Sequence, residues 1–221
     1  MATVHNAEIG TGSSADPSVH TLGFTPTAGR SLLVCWRTFN APISGMSDSG
    51  SNTWVQDGSV TATDAFFYRC QSIGSVPTTL SLDQDGTVQT FCIVLEVSGL
   101  DSSPAGTLVE NTNTAHGTAH TQSYTTNNDG DVVFAFMEDA NDNYVGASGT
   151  SALFRDSSEA RGGLYKVVST AETGNLNWTS DTARSLDVVA HIVYAAETAS
   201  GPVVPPETHG KIRKYRQLRA A

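Results

Sequence analysis

The chain has 221 residues, of which 38% are hydrophobic and only 15% charged. Ser, Thr, Gly and Asn make up the difference, a mixture that suits short strands joined by turns and excludes a helical bundle, whose exposed faces need Glu, Lys, Leu and Ala. The net charge of −10 argues against nucleic acid as a partner of the body, and no apolar run approaches the ~20 residues of a membrane-spanning helix.

In chain order the expected strands are 4–10, 18–24, 31–39, 53–60, 65–71, 78–82, 88–97, 107–113, 120–125, 131–138, 150–155, 163–169, 176–179 and 185–195. Each is a run of β-branched, aromatic or alternating residues. Turn residues separate them, including Asp16-Pro17, Ala28-Gly29, Asp48-Ser49-Gly50, Asp57-Gly58, Asp85-Gly86, Asn127-Asn128-Asp129-Gly130 and Arg161-Gly162-Gly163. LLVCWRTF, FCIVLEV and VVFAFM read apolar on both faces and belong inside a sheet, whereas TVHNAEIG alternates more weakly and belongs at an edge. Roughly fifteen short strands spaced about ten residues apart predict an all-β fold, a two-sheet antiparallel sandwich of jelly-roll type.

The opening MATVHNAEIG has neither the basic nor the apolar region of a signal peptide, so a soluble protein that folds in the cytoplasm where it is made is expected. Cys35, Cys70 and Cys92 all sit in apolar strands, with no C-x-x-C pair. An odd count in that setting predicts buried, reduced thiols; a Cys35–Cys92 bridge between neighbouring strands is the alternative.

An internal repeat is visible. HTLGFTPTAGRSLLVCWRTF aligns with HTQSYTTNNDGDVVFAFMED, matching His20 to His120, Phe24 to Tyr124 and, with one inserted residue, Gly29 to Gly130. Further on, 66–72 echoes 163–169 and 88–100 echoes 185–197. Neither half has enough strongly apolar strands to stand alone, so the two are expected to share one core within a sandwich domain over 1–199.

Four segments in order carry a resemblance: T-P-x-A-G-x-x-L-L-V (25–34), S-D-S-G-S-N-T-W (47–54), L-E-V-S-G-L-D (95–101) and T-N-N-D-G-D-V-V-F-A-F (126–136). Together they resemble a β-sandwich, jelly-roll-like family found in bacteriophage virion proteins and some bacterial surface proteins. The likeness spans about residues 18–197. It implies a virion structural or host-surface role and transfers no catalytic residue.

Reading the chemistry directly gives the same answer. No G-x-S-x-G nucleophile turn accompanies the histidines, His5, His20, His116, His120, His191 and His209. Glu96 and Glu138 are the acids to consider for glycoside hydrolysis, because both fall in apolar strands. His116-x-x-x-His120 has zinc-like spacing but lies in a Gly/Thr-rich stretch that is not helical. Hard oxygen ligands cluster at 138–143 and again at 48–52, where turn formation is the simpler explanation. No metal, no cofactor and no catalytic residue is therefore expected. Trp54 and Trp178 read as core, leaving Tyr144, in an Asn/Asp loop, as the candidate glycan contact.

Residues 200–221 depart from the sandwich pattern. A Pro-rich linker, GPVVPPETHG, precedes KIRKYRQLRAA, which would set Ile212, Tyr215 and Leu218 along one stripe if helical. Residues 1–206 hold 7 Lys+Arg against 21 Asp+Glu, and 207–221 hold 5 against 1, giving −14 and +4. Lys211, Ile212, Arg213, Lys214, Tyr215, Arg216, Leu218 and Arg219 thus form a candidate partner-binding arm. Nucleic-acid phosphate, a membrane surface and an acidic protein are all conceivable targets; the tether to an acidic body favours the last. The expectation is a non-enzymatic virion protein, displayed on the particle as capsid decoration or tail accessory protein. Its expected partners are other virion proteins and copies of itself, with no membrane and no nucleic acid. The alternative is a carbohydrate-binding module that attaches a particle to a host-surface glycan.

Overall fold

The structure, a computed structural model, describes residues 1–38, 43–60, 64–113, 117–138, 145–146, 149–154, 161–184 and 187–198. In the first half these residues form β1 (Thr3–Gly12), β2 (Ser18–Thr21), β3 (Ser31–Arg37), β4 (Ile43–Asp48), β5 (Val55–Val60), β6 (Ala65–Cys70), β7 (Thr79–Gln84) and β8 (Thr90–Ser98). The second half contributes β9 (Leu100–Ala105), β10 (Val109–Asn113), β11 (Gly117–Thr125), β12 (Val132–Glu138), β13 (Val145–Gly146), β14 (Ser151–Phe154), β15 (Arg161–Val167), β16 (Thr173–Arg184) and β17 (Asp187–Ala196). Among the described residues there is no helix, and so none long and apolar enough to cross a membrane.

The two halves repeat strand for strand. The first builds a sheet of order β1-β8-β3-β6-β5 and a second of order β2-β7-β4. The second builds β10-β17-β12-β15-β14 and β11-β16-β13, with β9 added beside β17. In each half the nested antiparallel pairs, β1 with β8, β2 with β7 and β3 with β6, then β10 with β17, β11 with β16 and β12 with β15, are those of a jelly roll. The expected two-sheet sandwich is thus made twice. Gly29 and Gly130 take equivalent places with φ of 84° and 87°, a conformation that favours glycine. Gly29 N–H donates to Ile73 O and Ile73 N–H to Arg30 O; Gly130 N–H donates to Val168 O and Val168 N–H to Asp131 O.

Strand parity then stacks the sheets. On β3, β6 and β8, Leu33, Cys35, Phe67, Phe91, Ile93 and Leu95 point one way, into a cluster with Val132, Phe134, Phe136, Ala190, Ile192 and Tyr194 of the second half. Leu32, Val34, Trp36, Tyr68, Cys92 and Val94 point the other way, onto Leu80 and Leu82 of β7. Val133, Ala135, Met137 and Leu164 likewise pack on Tyr124, Leu176 and Trp178. The molecule is four sheets deep, with the two large sheets face to face at its centre. Cys35 and Cys92 lie on opposite faces of one sheet, which rules out the bridge between them, and all three cysteines are free and buried.

Two expectations about strands are corrected. β4, β9 and β13 have no counterpart among the predicted strands; they are short or rich in Gly, Ser and Asp, and β9 carries Pro104. The match of 66–72 to 163–169 is one residue off. Val34 pairs with Tyr68, while Ala135, its equivalent, pairs with Leu164, so Phe67 corresponds to Gly163. Side-chain volume explains the difference. Phe67 fills the seam by meeting Phe134 edge-on, centroids 5.5 Å apart, whereas Gly163 leaves room for Ile93.

At the seam the two large sheets run in opposite strand order. β1 lies over β14 and β15, and Gly58 of β5 lies against Ile192 of β17. The margin is polar. Arg37 donates two hydrogen bonds to Glu138, at 3.0 and 2.7 Å. Arg69 pairs with buried Asp57 and donates to Gln71, whose amide reaches Asp101 O across the seam at 2.6 Å. A Cβ on Gly163 would stand 2.6 Å from Ile93 Cδ1 and 3.1 Å from Ala135 O. Gly163→Val is therefore expected to cost about 1–3 kcal/mol, measured as a lower urea midpoint with unchanged slope; unaltered stability would mean the seam is not close-packed there.

Candidate functional site

The D-S-G-S-N-T-W loop is built around one carboxylate. Asp48 Oδ1 accepts Gly50 N–H at 2.7 Å and Asn52 N–H at 3.2 Å, and Oδ2 accepts Asn52 Nδ2 at 3.0 Å and Trp54 Nε1 at 2.9 Å. Asn52 Oδ1 in turn accepts Gly74 and Ser75 N–H. Four N–H donors occupy both oxygens, so the loop holds its own turn together and leaves no place for a cation. Of the second oxygen-rich stretch, 139–143 lies outside the described residues.

Glu96 and Glu138 do not form a catalytic pair. Glu96 sits on β8 opposite Leu32, facing the small sheet, whereas Glu138 meets Arg37, at the far end of β3 and on its other face. Five residues of strand, about 17 Å, separate those ends. Glu96 is fully buried and satisfied: Asn6 Nδ2 donates to Oε2, Thr27 N–H donates to Oε1 at 2.6 Å, and Arg30 lies 3.3 Å away. Burial opposes its ionisation, but these donors outweigh it and hold the carboxyl below its usual range.

Among the histidines, His20 Nε2 pairs with Glu8 at 2.9 Å while its Nδ1 faces Thr11 O. One ring nitrogen meets a carboxylate and the other a backbone carbonyl, so no hydroxyl is placed for activation. His5 bonds Ser98 at the surface. His116 lies outside the described residues, and His120 lies on β11, a strand. Among the described residues no group of His, Cys, Asp and Glu could hold a metal ion. Trp178 is buried and Trp54 packs partly buried against the first half's core. Tyr144 lies outside the described residues, as do Lys211, Ile212, Arg213, Lys214, Tyr215, Arg216, Leu218 and Arg219 of the arm.

The feature that sequence reasoning missed is a cleft of about 520 Å³ in the second half. It opens between the β9–β10 edge of the large sheet and the β11 edge of the small one, with Thr107, Val109, Ser123, Thr125, His191 and Val193 on its walls. In the first half the same place is shut. There β1 runs beside β8 as one strand, with a single register shift between Val4 and Asn6, and Glu8 reaches across to His20 and to Gly23 N–H. In the second half the edge is split into β9 and β10, and Val109 stands opposite His191 where Glu8 stands opposite Val94. His191 is 1% exposed, and its Nδ1 has no hydrogen-bond partner among the described residues. The signal was present in the repeat, which sets a histidine against a core valine.

No family model matches the chain, and no curated protein matches it. Among solved structures it is similar to the crystal structure of the major capsid protein P2 from Bacteriophage PM2. The overlay covers 91% of this chain and 100% of that chain, at 9% identity and a TM-score of 0.32. Nothing about this chain's role follows from a likeness at that level.

Burial holds the His191 imidazole down from 6.5 to about 4. The unfolded side chain takes up a proton below about 6.5 while the folded one stays neutral, so stability falls as pH drops from about 6.5 towards 4. Between pH 7 and pH 5 His191→Val is expected to lose less stability than the parent, by on the order of 2 kcal/mol. Urea unfolding at the two pH values measures this, and equal losses would show that His191 is not held neutral by burial.

Proposed function

We propose that the chain is a non-enzymatic structural protein of a bacteriophage particle, displayed on its surface as capsid decoration or tail accessory protein. The observation that carries this reading is how the polar groups of the body are used. Asp48, Glu96 and Asp131 each have their oxygens taken by donors that fix a turn or strand end. Arg37 and Arg69 are committed to ion pairs at the seam, and Lys166 pairs with Glu172 at the surface. These groups hold the shape, which is two jelly rolls set back to back.

A structural block needs neighbours. The basic arm supplies a means of gripping them, because its charge of +4 opposes the −14 of residues 1–206. In this reading residues 211–219 dock on an adjacent copy or another virion protein, and copies close into a symmetric oligomer. The virion is the place of action, and the cytoplasm of a host the place of synthesis.

Mass photometry of the full chain over rising concentration tests this. A closed oligomer is expected. Replacing Lys211, Arg213, Lys214, Arg216 and Arg219 by Ser in the full chain should weaken it by about tenfold or more, equal to about 1.4 kcal/mol, with circular dichroism unchanged. A chain that stays monomeric throughout overturns the assembly reading.

A further inference from the structure

We infer that the cleft beside His191 is a binding site for a neutral sugar ring, a site that, among the described residues, the second half has and the first half lacks. The argument begins with the cost of the histidine. The two halves place Val94 and His191 at the same register, Val94 opposite Val34 and His191 opposite Ala135. Valine at that position completes an apolar core. Histidine there buries a polar ring, which is unfavourable unless the ring is hydrogen-bonded, and its Nδ1 has no partner among the described residues. A buried polar atom left unsatisfied calls for a specific explanation.

Three further changes accompany it, and each opens space beside the ring. Val34 gives way to the smaller Ala135. The edge strand breaks between β9 and β10, around Gly106, whose N–H donates to Val193 O at 2.9 Å. Glu8, which closes the first half by bonding His20 and Gly23, has Val109 in its place. The resulting cleft, about 520 Å³, falls within the size range of small-molecule sites.

The lining selects the ligand class. Ser103, Thr107 and Asn127 supply hydroxyl and amide groups, and Pro104, Val109 and Val193 supply an apolar wall. That combination matches a sugar, which has polar edges and an apolar face. The charged groups near the cleft are already committed to other partners. Asp131 also borders the cleft, but Oδ2 accepts Asn127 and Asn128 N–H and Oδ1 accepts Ala196 N–H. Tyr124 Oη is held by Glu172 and Lys166, which also pair with each other. The neutral His191 ring lines the cleft with Nδ1 just beneath its wall, so a small turn of the ring lets Nδ1 accept a ligand hydroxyl in one tautomer and completes the set.

The test is a titration of the full chain, labelled with ¹⁵N-histidine, followed by the His191 imidazole resonances. The probes are methyl α-D-glucopyranoside, methyl β-D-galactopyranoside and methyl N-acetyl-β-D-glucosaminide, with glycerol as the acyclic control. Saturable shifts at His191 with at least one sugar, at a millimolar Kd, and none with glycerol, are expected. Val109→Tyr, which plugs the cleft from a partly exposed edge position and leaves His191 in place, should raise that Kd at least tenfold, and His191→Val should abolish binding measured by ligand-observed saturation transfer. The inference is overturned if no sugar shifts His191, if glycerol acts like the sugars, or if Val109→Tyr binds as the parent does. Because it concerns the second half's edge and makes no use of the arm, its failure is distinguishable from failure of the assembly reading.

Discussion

The fold depends on a single constraint: two sheets, each apolar on both faces, cannot be covered by one partner sheet apiece. β3, β8 and β12 are buried along nearly their whole length, so every second side chain needs a second surface to pack on. Among the described residues each half offers one small sheet, of three strands. The uncovered face of one large sheet is therefore the natural cover for the other, and the Phe67–Phe134 and Phe91–Phe136 contacts are the outcome. Burial of apolar area supplies the driving force; the order of the strands decides which surfaces are left to meet.

Polar groups follow the same economy of space. Some short polar side chains pair across strands, as Thr121 does with Asn177 and Ser123 with Asn175, while several others sit in turns, where their hydrogen bonds satisfy the backbone. Asp48 and Asp131 are the clearest cases, one in each half, and both accept N–H groups from residues a few positions away. The longer charged side chains gather at margins. Arg37 and Glu138 meet at one edge of the seam, and Arg30 reaches Glu96 where β8 ends.

Much of this was legible in the sequence, for physical reasons. Continuous apolar runs located β3, β8 and β12 because both of their faces are buried, and the glycines at 29 and 130 marked turns that require a left-handed backbone. The repeat was readable because topology constrains the buried positions of both halves alike. Doubly apolar strands read as interior ones of a two-sheet sandwich; that each large sheet has two partners was not legible, since the pattern says which side chains share a face and not which sheet covers it. β4, β9 and β13 escaped because edge strands carry few core side chains. Glu96 was visible as an anomaly in an apolar strand, but its partners Asn6, Thr27 and Arg30 come from distant segments. The cleft was the least legible feature. It arises from a broken edge and one small side chain, neither of which disturbs the hydrophobic pattern.

Joining the halves in one chain has a consequence for variation. In a homodimer of identical subunits every substitution is made twice, so a costly residue at the seam or beside it is charged to both copies. Here the two sandwiches share a seam but not a gene segment, and each position is free to change alone. Val94 can keep one interior sealed while His191 loosens the other, and the central sheets need not part. The tether also makes the seam indifferent to dilution, since its effective concentration is set within the molecule. Tandem fusion thus uncouples the half that must be sturdy from the half that can afford an imperfection.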